Sequence, residues 1–184
     1  MDQVITIGYR DRVPYGYKAV NCTSKSDDKY KLLSPFMTSN PYCYAGLSAK
    51  NVENAWQFSK VYPEYDDNGV PTPQWYLWRD AGFANYFAHR YPMGKGAKPL
   101  YSWWNGNIYG YVEARKNIYA PIYENSIKDT NVFLGLKQEY LKGTKICIQD
   151  FDTYPLEGAT YLDAINNPLK PFGHGFVIYK MLTQ

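Results

Sequence analysis

The chain has 184 residues, of which 45% are hydrophobic and 20% charged, and its formal net charge is +3. That length and apolar content suffice for one domain with a real core and exclude intrinsic disorder. The near-balanced charge excludes a generic nucleic-acid coat protein, whose affinity comes from many phosphate contacts, although a local basic patch stays open.

Cys22, Cys43 and Cys147 are widely spaced and odd in number. That pattern suits neither a disulfide framework nor a zinc site and fits a reducing, cytoplasmic setting, with no cofactor and no metal expected. Met1 to Ile7 has no basic n-region, and no apolar run reaches the length of a membrane helix, so the sequence predicts neither a secretory signal nor a membrane partner. The aromatic load is heavy, with 20 Tyr, 8 Phe and 5 Trp. Core packing must absorb most of these, while a wall for stacking a base or sugar needs only a few.

In chain order, residues 3–7 and 17–21 read as short strands around a turn at Val13-Pro14-Tyr15-Gly16. Residues 34–46 are irregular, because Pro35 and Pro41 forbid a helix interior. Ser48 reads as the N-cap of a helix from Ala49 to Tyr62, stopped by Pro63. At helical spacing, Val52, Ala55, Trp56, Phe58, Val61 and Tyr62 form its apolar face, and Glu53, Gln57 and Lys60 fall together on the remaining arc. Residues 64–74 are a loop. Further helices are expected over Gln74–Phe87, over Tyr109–Tyr119 with a disturbance at Pro121, and over Lys128–Leu141. Thr144–Gln149 alternates as a strand. Thr160–Ile165 is a short helix, and Phe176–Leu182 reads as helical or extended. Strands and helices do not alternate regularly, which predicts a single α+β domain over 1–184, helix-rich with a few short strands, its N-terminal strands lying in 1–33.

Five constellations could carry chemistry. Glu53, Gln57 and Lys60 are spaced by four and three, so they line up on one helix. They form either a solvated polar face or a carboxylate, amide and ammonium row that activates water and holds a sugar or phosphate. Asp150-Phe151-Asp152 ends the late strand, where two carboxylates could orient a ribose, act as a base, or merely cap a loop. Pro171 to Phe176 places His174 between two glycines, either as a structural turn or as a close backbone approach to phosphate. His89 to Lys98, with Arg90 and Lys95, is a basic glycine loop without P-loop spacing. It is either a phosphate or nucleic-acid contact or a plain surface loop. Trp103-Trp104 followed by Glu113 and Arg115 could line a cleft or pack the core. No Ser-His-Asp series, HExxH, GxSxG or Rossmann fingerprint is present.

The segment Asn51 to Lys60 resembles the Glu-x-x-x-Gln-x-x-Lys helix of the NADAR superfamily. That superfamily includes N-glycosidases of riboflavin-pathway intermediates and enzymes that remove ADP-ribose from guanine. The resemblance extends in order over about residues 34–182, to Trp103 or Trp104, Arg115-Lys116, Asp150 or Asp152, and Phe172-Gly173-His174-Gly175. It departs at Asn54, where a histidine is common, and at Phe172, where the family's closing motif has Trp. It implies a hydrolase or transferase at the N-glycosidic bond of a nucleotide, ADP-ribose or a modified nucleobase. Glu53 would be catalytic, with Asp152 as alternative base or ribose holder. Gln57, Lys60, Arg90, Lys95, Trp103, Trp104, Arg115, Asp150 and His174 would bind substrate. The alternative is a protein that binds a nucleotide or nucleic acid without turnover, such as a phage inhibitor of host defence. Either reading needs Glu53, Asp152, Lys60 and His174 to converge.

Overall fold

The structure is a computed structural model and describes residues 2–184. In chain order it runs β1 (Val4–Gly8), β2 (Lys18–Asn21), β3 (Tyr42–Tyr44), β4 (Leu47–Ser48), α1 (Val52–Gln57), β5 (Lys60–Val61), β6 (Asp66–Asp67), β7 (Val70–Pro71), α2 (Pro73–Ala84), β8 (Tyr101–Trp104), β9 (Asn107–Tyr109), α3 (Tyr111–Ala114), a π-helical turn (Arg115–Tyr119), α4 (Ala120–Ile127), α5 (Asn131–Leu141), β10 (Ile146–Asp150), α6 (Tyr161–Asn166) and α7 (His174–Thr183). The domain is α+β, as the irregular order of elements predicted.

The sheet that matters for the site is the three-stranded one, ordered β1-β10-β2 and parallel throughout. Its middle strand is apolar on both faces: Ile146, Cys147 and Ile148 are all fully buried. That is how a strand reads when elements cover both sides of a parallel sheet. On one side the cover is α7, which packs on β1 and β10. The register pairs Val4 with Ile146 and Gly8 with Asp150, and Lys18 with Ile146. All three strands therefore end at the same edge, and the loops beyond it gather there, which is where open parallel sheets place ligands. The N-terminal strands are thus part of the frame of the site.

Several elements depart from the sequence-based expectation for local reasons. The helix expected from Ala49 to Tyr62 is only α1. Its N-cap is Asn51, whose side chain accepts from the Asn54 N–H at 2.8 Å, because Ser48 is paired in the β3–β4 hairpin. It stops before Pro63, at Gln57, since Ser59 folds back onto the Trp56 carbonyl and Lys60-Val61 pairs with Tyr101 and Ser102. The second helix begins at Pro73 behind a Thr72 cap and ends at Ala84, which leaves Tyr86 and Phe87 in the following loop. From Tyr111 to Ile127 the chain stays helical through Pro121. Proline has no N–H to give, and the π-helical turn before it shifts the hydrogen-bond register so that none is required. The closing segment is helical. Among the described residues no helix is long and apolar enough to cross a membrane.

Candidate functional site

A cleft of about 270 Å³ opens beyond the carboxyl ends of the parallel strands. Glu53, Gln57, Arg90, Asp150, Asp152 and His174 line it, and so do Trp56, Tyr119 and Phe172. Six of the residues singled out in the sequence therefore meet in one place, drawn from α1, the loop after α2, the end of β10 and the start of α7.

Glu53 is held from both sides. Its backbone N–H donates to the Pro35 carbonyl at 3.1 Å, and α1 turns its side chain into the cleft wall. The residue is 7% exposed. Gln57 Nε2 donates to Glu53 Oε1 at 3.0 Å, and Lys60 Nζ donates to Gln57 Oε1 at 2.9 Å. An ammonium can only donate, so it fixes the amide with its oxygen toward Lys60 and its N–H toward Glu53. Glu53 Oε2 has no hydrogen-bond partner among the described residues. Burial pushes the Glu53 carboxyl above its usual range, against the pull of Gln57 and the Lys60 charge. Burial also pulls the Lys60 ammonium down to about 8. Lys60 is not on α1 and does not line the cleft. It reaches the row from β5, with its Nζ 4.9 Å from the Trp56 ring centre.

Asp150 and His174 form the floor. Gly173 heads α7 without a capping side chain, and Asp150 supplies the cap across space: its Oδ2 accepts from Gly175 N at 3.1 Å and its Oδ1 from Phe151 N at 2.7 Å. The two glycines permit this approach. A Cβ on Gly173 would lie 2.2 Å from Asp150 Oδ2, and one on Gly175 would lie 2.7 Å from Thr153 Cγ2. His174 Nδ1 is 3.2 Å from Asp150 Oδ2, and its Nε2 is 2.7 Å from the Cys22 carbonyl. Both ring nitrogens therefore face oxygen atoms. The ligand atoms of Cys22, Asp150 and His174 lie within 4.8 Å of one another, so this buried trio is where a metal ion could be held. As folded, each atom already has a hydrogen-bond partner, the Cys22 thiol donating to the Gln149 carbonyl at 3.3 Å.

Asp152 stands at the mouth, 3.4 Å from Arg90 Nη2, with each side chain about two-fifths exposed. So exposed an ion pair contributes little to stability and parts easily for a ligand. Partial burial and the neighbouring Asp150 push the Asp152 carboxyl up, against the pull of Arg90. Arg90 is delivered by Asn54, which is fully buried. Its amide donates to the Asn85 and Phe87 carbonyls at 3.0 and 2.8 Å and accepts from His89 N at 2.8 Å. Asn54 is thus a clamp for the loop that carries Arg90.

The remaining candidates lie elsewhere. Trp103 and Trp104 project to opposite faces of β8 and pack on Trp75, Tyr76 and Tyr44. Arg115 is 2% exposed and binds structure: it donates to the Asn167 and Lys170 carbonyls at 2.8 and 2.9 Å and to the Tyr111 hydroxyl at 2.7 Å. Lys95 is exposed in the loop between Gly94 and Gly96, outside the cleft lining.

Tyr119 is the site residue that sequence reasoning missed. It ends the π-helical turn, and such turns often re-aim a side chain at functional sites. Its ring stands between Trp56 at 5.2 Å and Phe172 at 6.4 Å. Its hydroxyl has no hydrogen-bond partner among the described residues. Burial, reinforced by Asp150 and Glu53, holds that hydroxyl protonated far beyond its ordinary range, so it faces the cleft as a donor. One tyrosine among 20 gives no such signal in sequence. Compared with known proteins, the chain matches no protein-family model, no curated protein and no solved structure.

Proposed function

We propose that the cleft hydrolyses or transfers at the N-glycosidic bond of a nucleotide, ADP-ribose or a modified nucleobase. The observation that carries this reading is Glu53: a buried carboxylate, positioned by the Gln57–Lys60 row, with one oxygen free in a cleft walled by Trp56, Tyr119 and Phe172. Breaking the C–N bond leaves positive charge on the sugar while the electron pair departs with the base. Glu53 stabilises that charge and takes a proton from the water whose oxygen bonds to the sugar carbon. Glu53 then passes that proton to the departing base nitrogen, which regenerates the carboxylate. A carboxyl raised by burial is the better matched to this proton transfer near neutral pH. Asp152 is the alternative base or the holder of ribose hydroxyls, and Arg90 holds a phosphate at the mouth. The ring walls take the flat base. The same row, Glu53, Gln57 and Lys60, carries the resemblance to NADAR glycosidases, and the relationship is part of the proposal.

The test is release of free base from ADP-ribosylated guanosine, NAD and nucleotide glycosides, followed by chromatography for wild type and Glu53→Gln. Wild type should turn over at least one of them, and Glu53→Gln should lose about 10²- to 10⁴-fold in rate. Equal turnover by both proteins, or none by either, would sink the assignment. Binding without turnover would leave a nucleotide-sequestering protein.

A further inference from the structure

Next to the cleft lies an open trough of about 470 Å³, and Ser24 and Phe36 line both, so the two share a wall. Its outer edge is formed by Tyr86 and Phe87, which are 78% and 80% exposed. Large apolar rings so exposed at the rim of a site are a standing cost unless something covers them. The loop that carries them is not slack. Asn51 Nδ2 donates to the Tyr86 carbonyl at 3.3 Å, Asn54 Nδ2 to the Phe87 carbonyl at 2.8 Å, and Phe87 N to Asn85 Oδ1 at 2.9 Å. These bonds turn the backbone carbonyls inward and hold the side chains out. Lys50 sits with its Nζ 4.7 Å from the Tyr86 ring centre, and Lys25 lines the cleft on the near side. Neither lysine pairs with a carboxylate among the described residues.

We infer that this trough is a second stacking subsite, which takes a base joined through phosphate to the nucleotide in the cleft. The inference rests on reading the cleft as a nucleotide site. Two exposed aromatic rings beside cations that lack a carboxylate partner match a base with a phosphate linkage, since every base offers a π-face and the cations offset the linkage charge. A ligand with a single base fills the cleft alone and leaves Tyr86 and Phe87 uncovered. The same chemistry occurs in a free dinucleotide and in a single strand.

The test uses Glu53→Gln protein with and without Tyr86→Ala and Phe87→Ala, so that affinity is read in the absence of cleavage. Each is titrated calorimetrically with AMP, with NAD and with a five-nucleotide single-stranded DNA. AMP should bind both proteins equally. NAD or the pentanucleotide should bind the aromatic-truncated protein about ten-fold more weakly, and whichever loses affinity identifies the source. For that ligand Lys50→Ala should also flatten the salt dependence by about one phosphate contact. Equal affinity for all three ligands, an equal loss on AMP, or no binding by any of them would overturn the second subsite. A selective loss with no base release by wild type would sink the glycosidase reading and leave the subsite standing.

Discussion

Two aromatic clusters in this molecule are built from the same residue types and end in opposite states. In one, Arg79 sits inside a cage of Tyr44, Trp75, Tyr76, Phe83 and Trp103, with its guanidinium carbon 5.1 to 6.0 Å from the ring centres. Its Nε and Nη2 donate to Asp80 and its Nη1 to the Tyr44 hydroxyl at 2.8 Å. The charge is enclosed and its hydrogen bonds are made. In the other, Trp56, Tyr119 and Phe172 wall a cleft that three carboxylates also line, and two polar atoms, Glu53 Oε2 and the Tyr119 hydroxyl, have no partner among the described residues. Folding alone accounts for the closed cluster. The open one keeps polar atoms that no other part of the chain satisfies and that are available to something that enters.

The comparison breaks most sharply at Arg79. Arg79→Ala removes five ring contacts and strands the Tyr44 hydroxyl, and should lower unfolding free energy by about 3 kcal/mol. Urea denaturation would show this, with base release per folded molecule unchanged. A large loss of turnover at intact stability would mean that the cage is part of the site. Tyr119→Phe reverses the pattern. It keeps the ring and deletes an unpaired hydroxyl, so melting temperature should hold or rise while turnover falls about ten-fold, the worth of one hydrogen bond in the reacting complex. A fall in melting temperature would reveal an internal partner for that hydroxyl.

The smallest effect concerns pH. Lys60 falls from its ordinary value to about 8 on folding, so between about pH 8 and 10.4 the unfolded chain binds a proton that the folded chain has lost. Stability from this group therefore rises with pH across that window. Lys60→Met should flatten the rise in pH-dependent denaturation. An unchanged slope would place the effect on another group.

Much of the site was legible because it rests on short local spacings. Glu53 and Gln57 are separated by one helical turn, and Asp150 and His174 belong to segments whose glycines and strand pattern stand out unaided. The placement of Lys60 is instructive, because the chain leaves the helix after Gln57 yet β5 returns the ammonium to the same row. Spacing alone left open whether the row was a solvated face, and both Glu53 and Gln57 are 7% exposed. Periodicity on one helix carries no information about the loops at 34–38 and 85–90 that cover its polar side. Trp103, Trp104 and Arg115 sat beside suggestive neighbours in sequence, but strand alternation and the distant carbonyls of Asn167 and Lys170 decide where they point. Tyr119 depends on the π-helical register, which follows from packing rather than composition.

The order of the parallel sheet has a consequence for how the protein comes into being. β10 lies between β1 and β2, so both N-terminal strands wait with an unfilled gap while the rest of the chain is synthesised. Closing that gap brings Asp150 to the strand ends, and only α7, later still, supplies the backbone N–H that Asp150 accepts from. The contacts are distant in sequence, so they are slow to form and late. A ribosome-bound or truncated chain therefore carries no finished cleft, and it exposes strand edges that other chains can pair with.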